Sequence, residues 1–188
     1  MAVILITRAQ DYIGLSSDTK PTVGVLAGSE FYETDSGATY IYDGSAWNIR
    51  VDLGPFRATK TVTFTGAAGL GAIGTVSYFT VTGQVLIVYI VGFCTTDLVG
   101  ATGTLVLGVP GRSNLFIAST LGTDIDADEF WIDATPDAAG IALPAAMKEI
   151  VLTENIIITV AVADITAGVL RVDAYWMPLS SNGKVVAA

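Results

Sequence analysis

From Phe56 to Met177 the chain reads as short apolar runs closed by Gly, Thr, Asp or Pro. Runs of this length, bounded by turn residues at regular spacing, predict strands at 61–64, 74–80, 85–94, 103–109, 115–119, 130–133, 150–152, 155–163 and 168–177, the spacing of an antiparallel β-sandwich. Two of them, 85–94 and 156–163, are continuously apolar rather than alternating, a pattern that requires cover on both faces. In a sandwich one face meets the opposite sheet. A neighbouring subunit is the simplest cover for the other, so Val85, Ile87, Tyr89, Val91, Ile157, Val160 and Trp176 are the oligomer-interface candidates. Helix signals are weak: 138–143 is cut at Pro144 and leaves room for a short turn. The tail 180–184 reads as a polar turn.

The stretch up to about Leu53 has a different texture. Phe31-Tyr32-Glu33-Thr34 and Thr39-Tyr40-Ile41-Tyr42 alternate with period two around Asp35-Ser36-Gly37, and Asp43-Gly44-Ser45 turns the chain into Ala46-Trp47-Asn48-Ile49-Arg50. This predicts a three-stranded meander whose Tyr32, Tyr40, Tyr42 and Trp47 form a miniature core or, alternatively, a carbohydrate-binding face. A sheet so small needs a partner surface for stability. Before it, 12–21 reads as a polar extended arm in which Pro21 biases Lys20 away from helix. Met1–Arg8 lacks the basic start and small-residue cleavage pattern of a signal peptide and reads as an N-terminal strand. The expected organisation is all-β, with an arm and β-meander docking module over 1–54 and a C-terminal antiparallel, jelly-roll-like β-sandwich for oligomerisation over 55–188.

Composition sharpens this. Hydrophobic residues make up 52% of the 188 and charged residues 14%, and mean hydropathy is +0.60; this excludes a disordered chain or a coiled coil. The longest apolar run, about ten residues, is half of the roughly 20 that cross a bilayer as a helix. A greasy chain without such a span implies apolar area buried against other copies or partners. The net charge of −9, from 9 basic and 18 acidic residues, argues against a nucleic-acid partner.

Reactive chemistry is sparse. The chain has no His and one Cys, which removes Ser-His-Asp and Cys-His catalysis, intrachain disulfides and thiolate zinc clusters. Cys94 ends an apolar run and reads as a buried filler. Asp124–Glu129 opens like a calcium loop, but Glu129 stands where that loop needs Gly and Thr135 where it needs the bidentate Glu, so a solvated loop is the better reading. Asp124, Asp126, Glu129 and Asp133 supply carboxylates for a glycosidase on paper; yet Phe130 and Trp131 beside them point to opposite faces of a strand, so at most one reaches a sugar. The glycines of 66–74 lack the lysine and the strand-to-helix context of a phosphate loop. The expectation is a non-enzymatic protein with no catalytic residue, cofactor or metal.

The segment 28–47, with Gly14-Leu15-Ser16-Ser17-Asp18-Thr19-Lys20-Pro21 before it, resembles a module of structural proteins of tailed bacteriophages: head decoration proteins, head or neck fibres and tail proteins. Val81–Leu86, Ala163–Leu170 and Tyr175–Ser180 resemble the C-terminal domain of such proteins. The resemblance touches most of the chain. It implies a virion protein, made in the bacterial host cytoplasm, trimeric, with a docking module and an outward-facing sandwich. The expected function is a capsid decoration (cement) protein on the exterior of the head, with the major capsid protein as partner. Ile4, Ile6, Tyr12, Leu15, Pro21, Tyr32, Tyr40 and Trp47 are the capsid-docking candidates. The alternative is a fibre or tail adhesin contacting host-surface glycans through Tyr40, Tyr42, Trp47 or Trp131.

Overall fold

The structure, a computed structural model, describes residues 9–50, 55–140, 142–144 and 149–188. The docking candidates Ile4 and Ile6, the N-terminal strand expected at 1–8 and the module boundary expected at residues 54 and 55 fall wholly or partly outside them.

In the N-terminal part, period-two alternation puts Phe31, Tyr40, Tyr42 and Trp47 on one face of a sheet built from β1 (Asp11–Gly14), β2 (Glu30–Glu33), β3 (Thr39–Tyr42) and β4 (Trp47–Ile49), in that order. β2, β3 and β4 are the expected meander, paired antiparallel. The expected arm is extended but not free. Asp11–Gly14 adds a fourth strand, parallel to β2, with Tyr12 beside Phe31. Beyond it Leu15 and Asp18 close a turn, and 20–22 fold back over the aromatic face. There the Trp47 indole N–H donates to the Pro21 carbonyl at 2.6 Å, and the Tyr42 hydroxyl to that of Thr22 at 3.3 Å. Tyr12 and Phe31 meet the Trp47 ring edge-on.

The remaining strands are β5 (Phe56–Thr63), β6 (Gly74–Thr82), β7 (Val85–Val99), β8 (Thr104–Val109), β9 (Arg112–Leu121), β10 (Phe130–Trp131), β11 (Ile150–Leu152), β12 (Ile156–Ala161), β13 (Ala167–Pro178) and β14 (Lys184–Ala187). They form two five-stranded sheets. One has the order β10-β7-β13-β5 with β11 also on β7; the other has the order β14-β6-β12-β8-β9. The pairings nest: β8 with β9 inside β7 with β10 and β11, inside β6 with β12, inside β5 with β13. This nesting across two sheets is the jelly-roll topology, so the fold is all-β as expected. One core unites residues of both sheets, including the fully buried Trp131 and Trp176. Among the described residues the only helical element is the 3-10 turn Gly122–Asp124.

The continuous apolar runs have a local explanation. In β7, Tyr89 pairs with Tyr175 and Ile87 with Trp176, which leaves Val88 as an extra residue. This bulge resets the alternation, so Ile87 and Ile90 both face the core. A similar shift in β6 buries both Tyr78 and Phe79. Five interface candidates are thereby corrected: Val85, Ile87, Ile157, Val160 and Trp176 are buried within the single chain. Their cover is this chain's own packing. Tyr89 and Val91 lie on the outer face of their sheet and stay half-exposed.

Candidate functional site

The N-terminal sheet has two unlike faces. The inner one is a miniature core of Phe31, Ala38 and Tyr40 against which Tyr12, Trp47, Ile49 and Phe56 pack. Ile49 and Phe56 also pack against the sandwich core, and Phe56 lies 5.1 Å from the Trp176 ring. The small sheet thus finds its partner surface within the chain. Tyr40, Tyr42 and Trp131 are buried, which corrects their assignment as glycan-stacking rings. Trp47 spends its indole N–H on Pro21 and its faces on Tyr12, Phe31 and Tyr42.

At the bottom of this module sits a buried ionic cluster that the sequence reading missed. Glu33 is fully buried; its Oε1 accepts from Lys20 Nζ at 2.6 Å and its Oε2 from the Ser36 hydroxyl, with Lys184 Nζ 3.1 Å away. Lys20 also lies 4.1 Å above the Tyr40 ring and 4.9 Å above that of Phe31. Burial alone would raise the Glu33 carboxyl, but bonds from Lys20, Ser36 and Lys184 outweigh it and hold it below the usual carboxylate range. Every polar atom of the cluster has a partner, which suits a clamp rather than an acid–base site. The signal was present only as alternation, which put Glu33 on the same face as Phe31.

The outward face of the module carries the other docking candidates. Ile13 and Tyr32 sit side by side on β1 and β2, 73% and 45% exposed, and Leu15, Val23 and Leu26 are also exposed. Among the described residues, five of the twelve exposed large hydrophobic side chains fall between residues 13 and 32. That concentration in a small part of the chain exceeds scattered surface greasiness. Asp11 and Glu30 flank it, Glu30 paired with Arg50 at 2.9 Å. Of the docking candidates, Leu15 and Tyr32 are thus on the surface. Tyr12, Pro21, Tyr40 and Trp47 belong to the module's interior or its cover, a correction that follows from the fold-back of 20–22.

The sandwich shows a second surface, the outer face of the β10-β7-β13-β5 sheet. Tyr89 stacks on Tyr175 at 4.3 Å, Phe93 meets Phe130 at 5.2 Å, and the Arg171 guanidinium lies 5.3 Å from the Phe93 ring. Asp173, nearly buried, receives Arg171 Nε at 2.9 Å and the Thr59 hydroxyl at 2.5 Å, with Arg57 Nε at 3.9 Å.

Two carboxylates pin the backbone of the acidic loop. Glu129 accepts the Asp126 N–H, and Asp97 that of Ala127. Among the described residues no three His, Cys, Asp or Glu side chains converge as a metal site. Cys94 is buried, its thiol pushed up by that burial, and donates to the carbonyls of Thr96 and Ile125. The 66–74 loop is pinned by backbone bonds and borders an apolar hollow of about 310 Å³ lined by Phe64, Val76, Tyr78, Ile158 and Val160. Among the described residues no helix is long and apolar enough to cross a membrane. No protein-family model matches the chain, and no curated protein matches it.

Proposed function

We propose that this protein is a non-enzymatic structural component of a tailed-phage particle, a trimeric capsid decoration protein whose N-terminal module docks on the major capsid protein at the outside of the head. The observation that carries the reading is the exposure of Ile13 and Tyr32 side by side on a small sheet clamped to a jelly-roll sandwich, with exposed Leu15, Val23 and Leu26 in the segment that joins β1 to β2. The sandwich stabilises the sheet, and the sheet presents apolar side chains that would lose water on a shell. A stable contact needs roughly 800 Å² per partner, so the patch and the chain around it must act together. The net charge of −9 repels nucleic acid and suits the exterior of a shell. The resemblance of 28–47 to phage structural modules supports the same assignment. The adhesin reading has less support, since Tyr40, Tyr42 and Trp131 are buried and the half-buried Trp47 is engaged by Pro21, Tyr12, Phe31 and Tyr42.

The test is co-sedimentation with undecorated tailed-phage heads assembled from purified major capsid protein. The wild type is expected to bind in hundreds of copies per head, and Ile13→Asp with Tyr32→Ser to lower binding at least about tenfold at unchanged solution mass. Failure of the wild type to bind, or binding in tens of copies or fewer, would overturn the proposal. Unchanged binding by the variant would remove the module face from it.

A further inference from the structure

We infer that the outer face of the β10-β7-β13-β5 sheet is the surface through which copies of this chain pack on one another in a closed ring. The inference rests on the trimer in the proposed function and names its interface.

The two outer faces of the sandwich differ in kind. The one on β6 and β12 carries Thr75, Ser77 and Thr159 beside a nearly buried Ile157, with the Thr75 and Thr159 hydroxyls bonded to each other at 2.9 Å. Such a face is content in water. The other presents Tyr89, Val91, Phe93 and Tyr175, half-exposed, along two paired strands. It is also hollowed: Tyr89, Val91, Phe130, Ile132 and Leu143 line an apolar depression of about 380 Å³ that an aliphatic side chain from outside would fill. With strands about 4.8 Å apart and a rise of about 3.3 Å per residue, the three long strands β7, β13 and β5, paired over about eight residues, offer roughly 400 Å² before side-chain relief is counted. That is about half of the roughly 800 Å² a specific contact buries on each partner.

Charge selects a second copy as occupant and sets its geometry. In a chain of net charge −9, this face holds Arg57 and Arg171 around one buried Asp173, a local excess of positive charge. Beside the same sheet the acidic loop projects exposed Asp124, Asp126 and Asp128, tied to β7 where the Asp128 N–H meets the Cys94 carbonyl at 2.9 Å. Face-to-face packing about a two-fold axis would oppose arginines to arginines. A rotary, head-to-tail contact brings the acidic edge of one copy to the arginines of the next, and repeated with the three-fold rotation of the proposed trimer it closes as a ring.

Light scattering and sedimentation test this on the full chain. The wild type is expected to be a trimer, and Val91→Glu to weaken association at least about a hundredfold with an unchanged far-UV spectrum. Thr75→Glu, on the opposite face, should remain a trimer. Phe130→Glu, on a two-residue strand at the sheet margin, reads the same contact should Val91→Glu misfold. A folded Val91→Glu or Phe130→Glu protein that stays trimeric overturns the interface and leaves the trimer standing. A wild type monomeric at about 100 μM overturns both, while docking on heads is decided separately by co-sedimentation.

Discussion

Lys184 on β14 lies 3.1 Å from the Glu33 carboxylate on β2, so the last strand of the sandwich is ionically clamped to the buried centre of the N-terminal sheet. The pair is largely withdrawn from water, with side-chain exposures of 16% and 0%. Removing one partner of a buried pair costs more than the pair itself contributes, because the survivor keeps its desolvation penalty. Lys20 still serves Glu33, so Lys184→Met should cost about 1–3 kcal/mol by chemical denaturation at neutral pH.

The clamp also fixes a pH dependence. The Glu33 carboxyl is held below its ordinary 4.5 in the folded chain, so its stabilisation is present above that value and is lost as pH falls through the folded pKa. In Lys184→Met the depression is smaller and there is less to lose. The stability gap between wild type and variant should therefore narrow from neutral pH to about pH 3. A gap that stays constant would place the Lys184 effect in packing rather than charge.

Trp47 holds the module's cover and its core at once, through Pro21 on one side and Tyr12, Phe31 and Tyr42 on the others. Trp47→Phe keeps an aromatic ring but strands the Pro21 carbonyl, a loss of about 1 kcal/mol. Trp47→Ala should cost about 3 kcal/mol or more and melt the module ahead of the sandwich. Two-step unfolding in differential scanning calorimetry is the expected signature; one cooperative transition would mean that the two parts unfold as a unit.

Much of this architecture is legible in the chain, because strands bounded by Gly, Asp and Pro announce themselves through alternation and length. The meander at 30–49 is one example, and Phe130 and Trp131, which do face opposite ways, are another. What alternation could not reveal were the bulges at Val88 and Tyr78. Each adds one residue to its strand, and the one at Val88 resets the alternation within 85–94, which misplaced Ile87 and its partner Trp176. Nor could it reveal β14, whose Val185 and Val186 are too short a run to stand out, or the ion pair that Lys184 makes across more than a hundred residues. The fold-back of 20–22 depends on bonds to backbone carbonyls, which leave no side-chain signature at Pro21 or Thr22.

Trp131 and Thr120 form a buried bond between indole Nε1 and hydroxyl at 2.9 Å. Trp131→Phe and Thr120→Val each leave one buried polar group with fewer partners, and each should cost about 1–3 kcal/mol. The double variant removes the bond from both ends, so its cost should fall short of the sum by about 1 kcal/mol. A strictly additive cycle would mean that the two residues act independently, the Thr120 hydroxyl being held by its own donation to the carbonyls of Ala118 and Asp133, at 3.1 and 3.5 Å.

Within the glycine-rich loop, two positions separate backbone necessity from ligand binding. At Gly71, with φ of +111°, a Cβ would stand 2.0 Å from the Ile165 carbonyl oxygen, while its own carbonyl receives the Ile165 N–H at 2.8 Å. At Gly69, with φ of +75°, a Cβ would meet nothing within 4 Å. Gly69→Ala therefore carries only the left-handed backbone cost of about 1 kcal/mol, whereas Gly71→Ala must also push apart two bonded segments and should cost roughly 3 kcal/mol or more. Thermal melts of the two variants, with and without phosphate, check this. A loop built to join β5 to β6 predicts the unequal losses and no phosphate effect; equal losses, or a melting temperature raised by phosphate, would contradict it.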